Sequence, residues 1–484
     1  MNTSQLLARL GTVCPWWRDP SGWQYQDPDL RAVQATRLSY EPKPLENLEL
    51  GGLYILRGPR RVGKSVELKR AILGLLEAGV SPRRIIHFPC DELNAEDLSK
   101  LVTAARTVAT ASEAEPRYWF LDEITATGGK WWTTVKWLRD NNSGFQQDCV
   151  VLTGSSMRGL DEAVKALAGR RGPASDSERL LLPMGFRQFW RATTRLAQTP
   201  DEKLRVNAWE FREPICREAI GQVVPWLDDL ILQWEAFLSV GGYPRAVSDF
   251  LRTSEVQPDF TNALWDVISG EALRRARDFT PAKAQLLLAL LAGSLTQSLN
   301  LASLGAQLGT TSSTARERVE DLFAAFTCWP CYPMSPRGYP EHAAPLGTHP
   351  KCYFTDPLLA RLACQRDPDN IPCPEPSALS EQQFGLTLLR QRENLQPGSY
   401  SQFASVMYAR TSSKEVDFTG PWMKKVAFES KYVDSGWKRE TRTLRALTDR
   451  GVILTRSVLD LEGDVWAVPV SVAAWLLDPP PPTS

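Results

Sequence analysis

Neither sign of charge is in excess in this chain: 56 Lys and Arg are balanced by 56 Asp and Glu. That excludes a generic polyanion coat, so any nucleic-acid contact must come from local patches. No apolar run approaches the ~18 residues that cross a bilayer, and no secretory signal opens the chain. No membrane partner is therefore expected, and the expected location is cytoplasmic. Histidine is scarce, at 3, and the single C-x-x-C, Cys328-Trp329-Pro330-Cys331, has no second pair to complete a zinc site. The nine cysteines are odd in number and scattered, which fits buried thiols in a reducing compartment. An N-K-x-D guanine motif is also missing, which turns any nucleotide site toward ATP. What remains is a 484-residue chain with 43% hydrophobic and 23% charged residues, globular in composition and long enough for several domains.

The strongest signal is Gly58-Pro59-Arg60-Arg61-Val62-Gly63-Lys64-Ser65, which fits the phosphate-binding pattern G-x-x-x-x-G-K-[ST]. The apolar run 53–56 before it predicts a buried strand. Residues 66–78 after it predict a helix with Leu68, Ile72, Leu75 and Leu76 on one face. Glycines let backbone N–H groups close on phosphate oxygens, and the helix N-terminus adds partial positive charge. Lys64 is expected on the β- and γ-phosphates and the Ser65 hydroxyl on Mg²⁺.

Upstream, residues 1–50 read as an N-terminal arm whose Trp16-Trp17 pair packs on the core, with a strand over 34–40. Downstream, a strand at 84–88 and a helix over 95–111 precede Tyr118-Trp119-Phe120-Leu121-Asp122-Glu123, an apolar strand ending in two carboxylates. Asp122 is expected to hold Mg²⁺ and Glu123 to act as general base on the attacking water. The strand between the two motifs predicts that the Lys64 strand and the Asp122 strand are not neighbours. The strand 149–154 ends in Ser155 and Ser156, one of which could sense the γ-phosphate. Arg170, in Gly169-Arg170-Arg171, is a candidate arginine finger acting in trans. A last strand, 180–184, and a helix from Phe186 to about Thr194 close this domain.

Taken together with Leu152-Thr153-Gly154-Ser155-Ser156 and Pro183-Met184-Gly185-Phe186-Arg187, these motifs resemble those of bacterial and archaeal AAA+ ATPases. The subgroup is the one with a C-terminal domain of unknown function that is similar to PD-(D/E)xK nucleases. The resemblance implies an α/β fold: a five-stranded parallel P-loop sheet, a helical lid, a winged-helix domain and a C-terminal restriction-endonuclease-like α/β domain. In this sequence those parts are assigned to 51–198, 199–278, 279–350 and 351–478, with a disordered tail at 479–484. The resemblance also carries nucleotide contacts to Gly242 and Pro244 in the turn Gly241-Gly242-Tyr243-Pro244-Arg245. Residues 311–326 fall in the place of a recognition helix, though Arg316 and Arg318 are mixed there with Glu317, Glu320 and Asp321.

A second constellation lies near the C-terminus. Strands are predicted at 414–418 and 426–432, and alternation puts Glu429 and Lys431 on one face, with Asp417 able to sit beside them. Two carboxylates can hold a divalent metal and a lysine can orient water. This Asp…Glu-x-Lys array, with Glu381 on the preceding helix, is similar to the PD-(D/E)xK signature, but no Pro-Asp turn precedes Asp417. Two readings of the whole chain stand. One is a Mg²⁺-dependent ATPase coupled to a DNA-acting nuclease with a second divalent metal. The other is a nucleotide-dependent switch whose C-terminal domain only binds a partner protein. Either is expected to form a homo-oligomer on binding ATP.

Overall fold

The structure is a computed structural model that describes residues 1–484 except 109–114, 158–159, 175, 274–278, 335–348, 367–370, 402–404, 411–414 and 479–484. The expected disordered tail and most of the expected linker at 332–350 lie outside the described residues. Two compact units divide the chain. The first comprises Met1–Arg37, Glu41–Leu181 and Ala324–Phe326, and the second Leu38–Tyr40, Leu182–Phe323 and Thr327–Ser484.

In the first unit, five strands form one parallel sheet: β1 (Leu53–Arg57), β2 (Ile85–Pro89), β3 (Tyr118–Asp122), β4 (Cys149–Gly154) and β5 (Glu178–Leu180), in the order β2-β3-β4-β1-β5. β1, β3 and β4 are buried along their whole length, which is why they read as continuous apolar runs instead of alternating ones. β4 lies between β1 and β3, so the two motif-bearing strands are not neighbours, as expected. The helix Lys64–Glu77 follows β1 and buries Leu68 and Ile72, while Leu75 and Leu76 are partly buried against the same core. The helix expected over 95–111 runs over Asp97–Val108 in the described residues.

The N-terminal arm packs on this core through its tryptophans. The indole N–H groups of Trp16 and Trp17 both donate to the Ile85 carbonyl, at 3.0 and 2.9 Å. The strand expected over 34–40 is absent. Its first residue instead ends the helix Pro28–Gln34, which Asp27 caps by accepting from the Asp29 and Leu30 N–H groups. The Asp-Pro pair is an N-cap followed by a proline at the first helical position, and that signal outweighs the β-prone residues after it. β5 ends at Leu180, short of the expected 184, because the chain turns away from β1 once Leu181 N–H has bonded to the Arg57 carbonyl.

The second unit begins with helices. Pro214, Pro244, Pro281, Pro357 and Pro376 each open one, a position where the missing N–H costs nothing. Its sheet has seven strands: β6 (Cys328–Pro333), β7 (Lys351–Phe354), β8 (Met407–Arg410), β9 (Glu415–Thr419), β10 (Ala427–Ser430), β11 (Gly451–Thr455) and β12 (Val465–Pro469), in the order β12-β11-β10-β9-β8-β6-β7. β10, β11 and β12 are parallel, whereas β8, β9 and β10 alternate in direction. The helices Pro281–Gly293, Leu301–Gln307 and Ser312–Ala324 followed by the antiparallel pair β6–β7 have the element order expected of a winged helix. That pair, however, continues through β8 into the larger sheet, so strands pair across residue 350. The long helix Pro376–Leu395 lies on the sheet at Gly385, where a Cβ would stand 2.6 Å from the Phe418 ring.

Cysteine usage departs from the sequence expectation at one place. Cys364, near the end of the helix Pro357–Gln365, and Cys373 form a disulfide, with their Cα atoms 5.2 Å apart. The other seven cysteines are buried thiols. Cys328 and Cys331 are three residues apart on β6, so they face opposite sides of the sheet and cannot share a metal.

Candidate functional site

The loop between β1 and the helix Lys64–Glu77 is shaped by backbone that only glycine tolerates easily. Gly58 has φ +155 and Gly63 has φ +103. A Cβ on Gly58 would lie 2.0 Å from the Leu181 carbonyl oxygen, so the loop passes directly under the end of β5. Lys64 is almost fully buried, and its ammonium donates to the carbonyls of Gly58 at 3.0 Å and Pro59 at 2.9 Å. Burial pushes its pKa below the ordinary lysine value, against the pull of Glu123, whose carboxylate is 3.5 Å away, and of Asp122.

The carboxylates at the end of β3 meet this loop. Ser65 Oγ donates to Asp122 Oδ2 at 2.7 Å, and Thr153 Oγ1, from β4, donates to Asp122 Oδ1 at 2.5 Å. The same Thr153 hydroxyl accepts from the Glu123 N–H at 2.9 Å. Glu123 sits at φ +51, and its Oε2 accepts from the Ser155 hydroxyl at 3.0 Å and from the Ser155 N–H at 3.3 Å. Lys64, Ser65, Asp122, Glu123 and Ser155 are thus brought together within one unit. Thr153 was missed by the sequence reasoning, and its only signal was a polar residue at the tip of an apolar strand. A hydroxyl and a carboxylate converging on one point form a hard oxygen donor set, which fits Mg²⁺.

Arg170 lies elsewhere in the same unit. Its Nε is paired with Asp140 at 2.7 Å, and its carbonyl accepts from Arg139 Nε at 3.3 Å. Gly242 and Pro244 belong to the second unit. The Gly242 N–H donates to Asp356 Oδ2 at 2.7 Å and its carbonyl accepts from the Met184 N–H at 2.7 Å, so both backbone polar groups are already used. Pro244 opens the helix Pro244–Thr253. Asp356, wholly buried, has its carboxyl pushed up to about 7 by burial, opposed by the Gly242 and Leu358 N–H bonds. On the helix Ser312–Ala324, Arg318 is turned inward and paired with Asp321 at 2.9 Å, which removes one of the two cations a DNA reader would present.

The four residues of the C-terminal constellation also converge. The register that sets Phe418 opposite Phe428 sets Asp417 opposite Glu429 on the antiparallel pair β9–β10. Asp417 Oδ2 accepts from the Ser430 N–H at 2.9 Å, and Lys431 Nζ lies 3.1 Å from Glu429 Oε1, on the same face as alternation requires. The helix Pro376–Leu395 supplies Glu381. Sequence reasoning missed the center of this cluster. Lys351, at the head of β7, is 1% exposed, and its ammonium lies 2.8 Å from Glu415, 2.9 Å from Asp417 and 3.1 Å from Glu381. Tyr353 on the same strand donates its hydroxyl to Glu381 at 2.5 Å. Burial and then the Asp417 charge push Glu381 up to about 7 and Glu429 up to about 8. Burial opposes the charge on Lys351, but Asp417, Glu381 and Glu415 together hold its pKa above the usual lysine value. Among the described residues, no group of three His, Cys, Asp or Glu is arranged to hold a metal ion.

Comparison with known proteins finds a likeness for the stretch that carries this site. A family model described as an AAA domain matches residues 51–190, the stretch that holds β1 through β5 and the site just described. This region therefore resembles an AAA-type P-loop ATPase domain. A second model, for a domain of unknown function (DUF8612), matches residues 231–370. The solved structure of the Walker-type ATPase PABY2304 of Pyrococcus abyssi is 14% identical, covers 72% of this chain and 95% of its own, and superposes with a TM-score of 0.37, a likeness too distant to carry an argument. No protein of curated function matches the chain.

Proposed function

We propose that this protein is a Mg²⁺-dependent ATPase that acts as a nucleotide-controlled switch. Residues Gly58, Pro59, Arg60, Arg61, Val62 and Gly63 wrap the triphosphate with backbone N–H groups, and Lys64 leaves the Gly58 and Pro59 carbonyls to neutralise it. Ser65 and Asp122 hold Mg²⁺, which when bound offsets phosphate charge. Glu123 takes the proton of the attacking water, and Ser155, its present partner, holds that carboxylate in place. The observation that carries this reading is the 2.7 Å bond between Ser65 and Asp122, which joins the two motifs at one point. Steady-state phosphate release by wild type and by Glu123→Gln tests it. Turnover lost with ATP binding kept supports the reading, and unchanged turnover rejects it.

Several roles belong to the same proposal. Gly242 and Pro244 act as the lid's contact to nucleotide, Arg170 serves a neighbouring subunit as an arginine finger, and ATP promotes a homo-oligomer. Arg170 must first release Asp140. Among the described residues no helix is long and apolar enough to cross a membrane.

The second reading makes the C-terminal region a metal-dependent nuclease acting on DNA. The convergence of Glu381, Asp417, Glu429 and Lys431 favours it. The ammonium of Lys351 among three of the cluster's carboxylates counts against it, and for that reason the switch is preferred. The deciding assay is Mg²⁺- or Mn²⁺-dependent cleavage of plasmid and single-stranded DNA, with and without ATP. Cleavage lost in both Glu429→Ala and Lys431→Ala would establish the nuclease, and absence of cleavage by wild type leaves the switch.

A further inference from the structure

The seven-stranded sheet buries a cation, Lys351, to which neither reading gives a role. Four acidic side chains, Glu381, Glu415, Asp417 and Glu429, are gathered where β7, β9 and β10 meet the helix Pro376–Leu395. Three of them direct an oxygen at one nitrogen, Lys351 Nζ, within 2.8–3.1 Å. The fourth, Glu429, lies across from Asp417. It is 4% exposed, and its Oε2 is buried without a hydrogen-bond partner. Carboxylates at this density need a compensating positive charge, since several buried anions without one would be strongly destabilising. A divalent cation would answer that need with oxygens at about 2.0–2.6 Å. Here the chain answers it at the centre with the covalently tethered ammonium of Lys351, while the more exposed Lys431 and Arg410 pair with Glu429 and Glu415. Both cannot occupy one place: one oxygen of each of Glu381, Glu415 and Asp417 is already engaged by the ammonium, and a second cation beside it meets like-charge repulsion.

We propose that Lys351 is a built-in cation that closes this carboxylate cluster to divalent metal, and that removing its charge opens a metal site formed by Glu381, Glu415 and Asp417. The proposal rests on the switch reading of the second unit, since it explains how a nuclease-like residue set persists without metal chemistry. It is independent of ATP hydrolysis, which takes place in the other unit. The ligand class is a hard divalent ion, Mn²⁺ or Mg²⁺, accepted on oxygen alone.

The test uses the full chain and Mn²⁺ as probe, with binding read by electron paramagnetic resonance and stability by thermal melting. Three variants accompany wild type: Lys351→Met, Lys351→Arg, and Lys351→Met combined with Asp417→Asn. Wild type and Lys351→Arg are expected to melt at the same temperature with or without millimolar Mn²⁺. Lys351→Met is expected to melt lower in chelator, to recover with Mn²⁺ because a ligand bound only by the folded state stabilises it, and to bind one further Mn²⁺ at least about tenfold more tightly than wild type. Adding Asp417→Asn should remove that gain. A variant that folds only when Mn²⁺ is present is the strongest form of the expected result. Wild-type Mn²⁺ binding that Asp417→Asn abolishes would overturn the proposal. So would a Lys351→Met chain that stays unfolded with Mn²⁺ while Lys351→Arg folds, or one that folds and binds no additional metal. Because turnover is not the readout, none of these outcomes bears on the ATPase assay.

Discussion

Ser65 Oγ donates to Asp122 Oδ2 across 2.7 Å, although 57 residues separate the two in sequence. The bond holds the hydroxyl and carboxylate of the proposed Mg²⁺ site at one point, with Thr153 fixing the other carboxylate oxygen. Preorganisation of this kind separates binding from chemistry. Lys64→Ala is expected to lower ATP affinity, read by titration of a fluorescent ATP analogue. Glu123→Gln is expected to leave that affinity within about threefold while phosphate release falls by roughly 10²–10⁴. Equal loss of both properties in Glu123→Gln would show that this side chain shapes the site instead of acting on water.

Gly58 is required for a reason that is separate from phosphate chemistry. A methyl group at this position would meet the Leu181 carbonyl at 2.0 Å, and the opposing group is backbone that cannot swing away. Gly58→Ala should therefore cost about 1–3 kcal/mol of stability and displace the loop from the end of β5. Thermal melting together with ATP titration checks this. A variant of wild-type stability with normal affinity would mean that β5 yields.

Arg139 ties the first unit together from inside. Its guanidinium donates to the carbonyls of Phe145, Gln146 and Asp148 at 2.8, 3.0 and 3.1 Å through Nη1, and to Gly51 at 2.6 Å through Nη2. These carbonyls flank the starts of β1 and β4. Arg139→Met keeps much of the volume and leaves the acceptors buried without donors, so a loss of about 3 kcal/mol is expected in denaturant titration. A loss below about 1 kcal/mol would mean that water replaces the guanidinium.

The second unit should lose stability as pH rises. Asp356 titrates near 3.8 when unfolded and at about 7 in the fold, chiefly because it is buried. The folded state therefore holds a proton that the unfolded chain has released, and its stabilising effect, complete below 3.8, declines between 3.8 and about 7. Equilibrium unfolding from pH 5 to pH 8 should show this decline, and Asp356→Asn should flatten it. An unchanged slope in the variant would assign the pH dependence to other buried groups, such as Glu381 or Glu429.

The sequence by itself determined the parts of this protein whose chemistry is local. The glycine loop, its lysine and serine, and the carboxylates at the end of an apolar strand are each written within eight residues, and the order of β1 and β3 followed from the strand between them. Buried parallel strands announce themselves because both faces need apolar residues. The helix Pro28–Gln34 was legible too, through Asp27-Pro28, but only a strand over 34–40 was expected there. What only the tertiary structure decided is which distant groups share a charge. Lys351 stands 30 residues from Glu381 and 66 from Asp417, and nothing in the local pattern of β7 marks it as their partner. Side-chain periodicity fixes the face of a strand, while sheet order and register, set by packing of the whole unit, fix what that face meets. A lysine at the head of a strand reads as an ordinary solvated end. It becomes the central cation of an acidic cluster only when β7, β9 and the helix Pro376–Leu395 close around it, with Lys431 on Glu429 and Arg410 on Glu415 as the more exposed cations beside it.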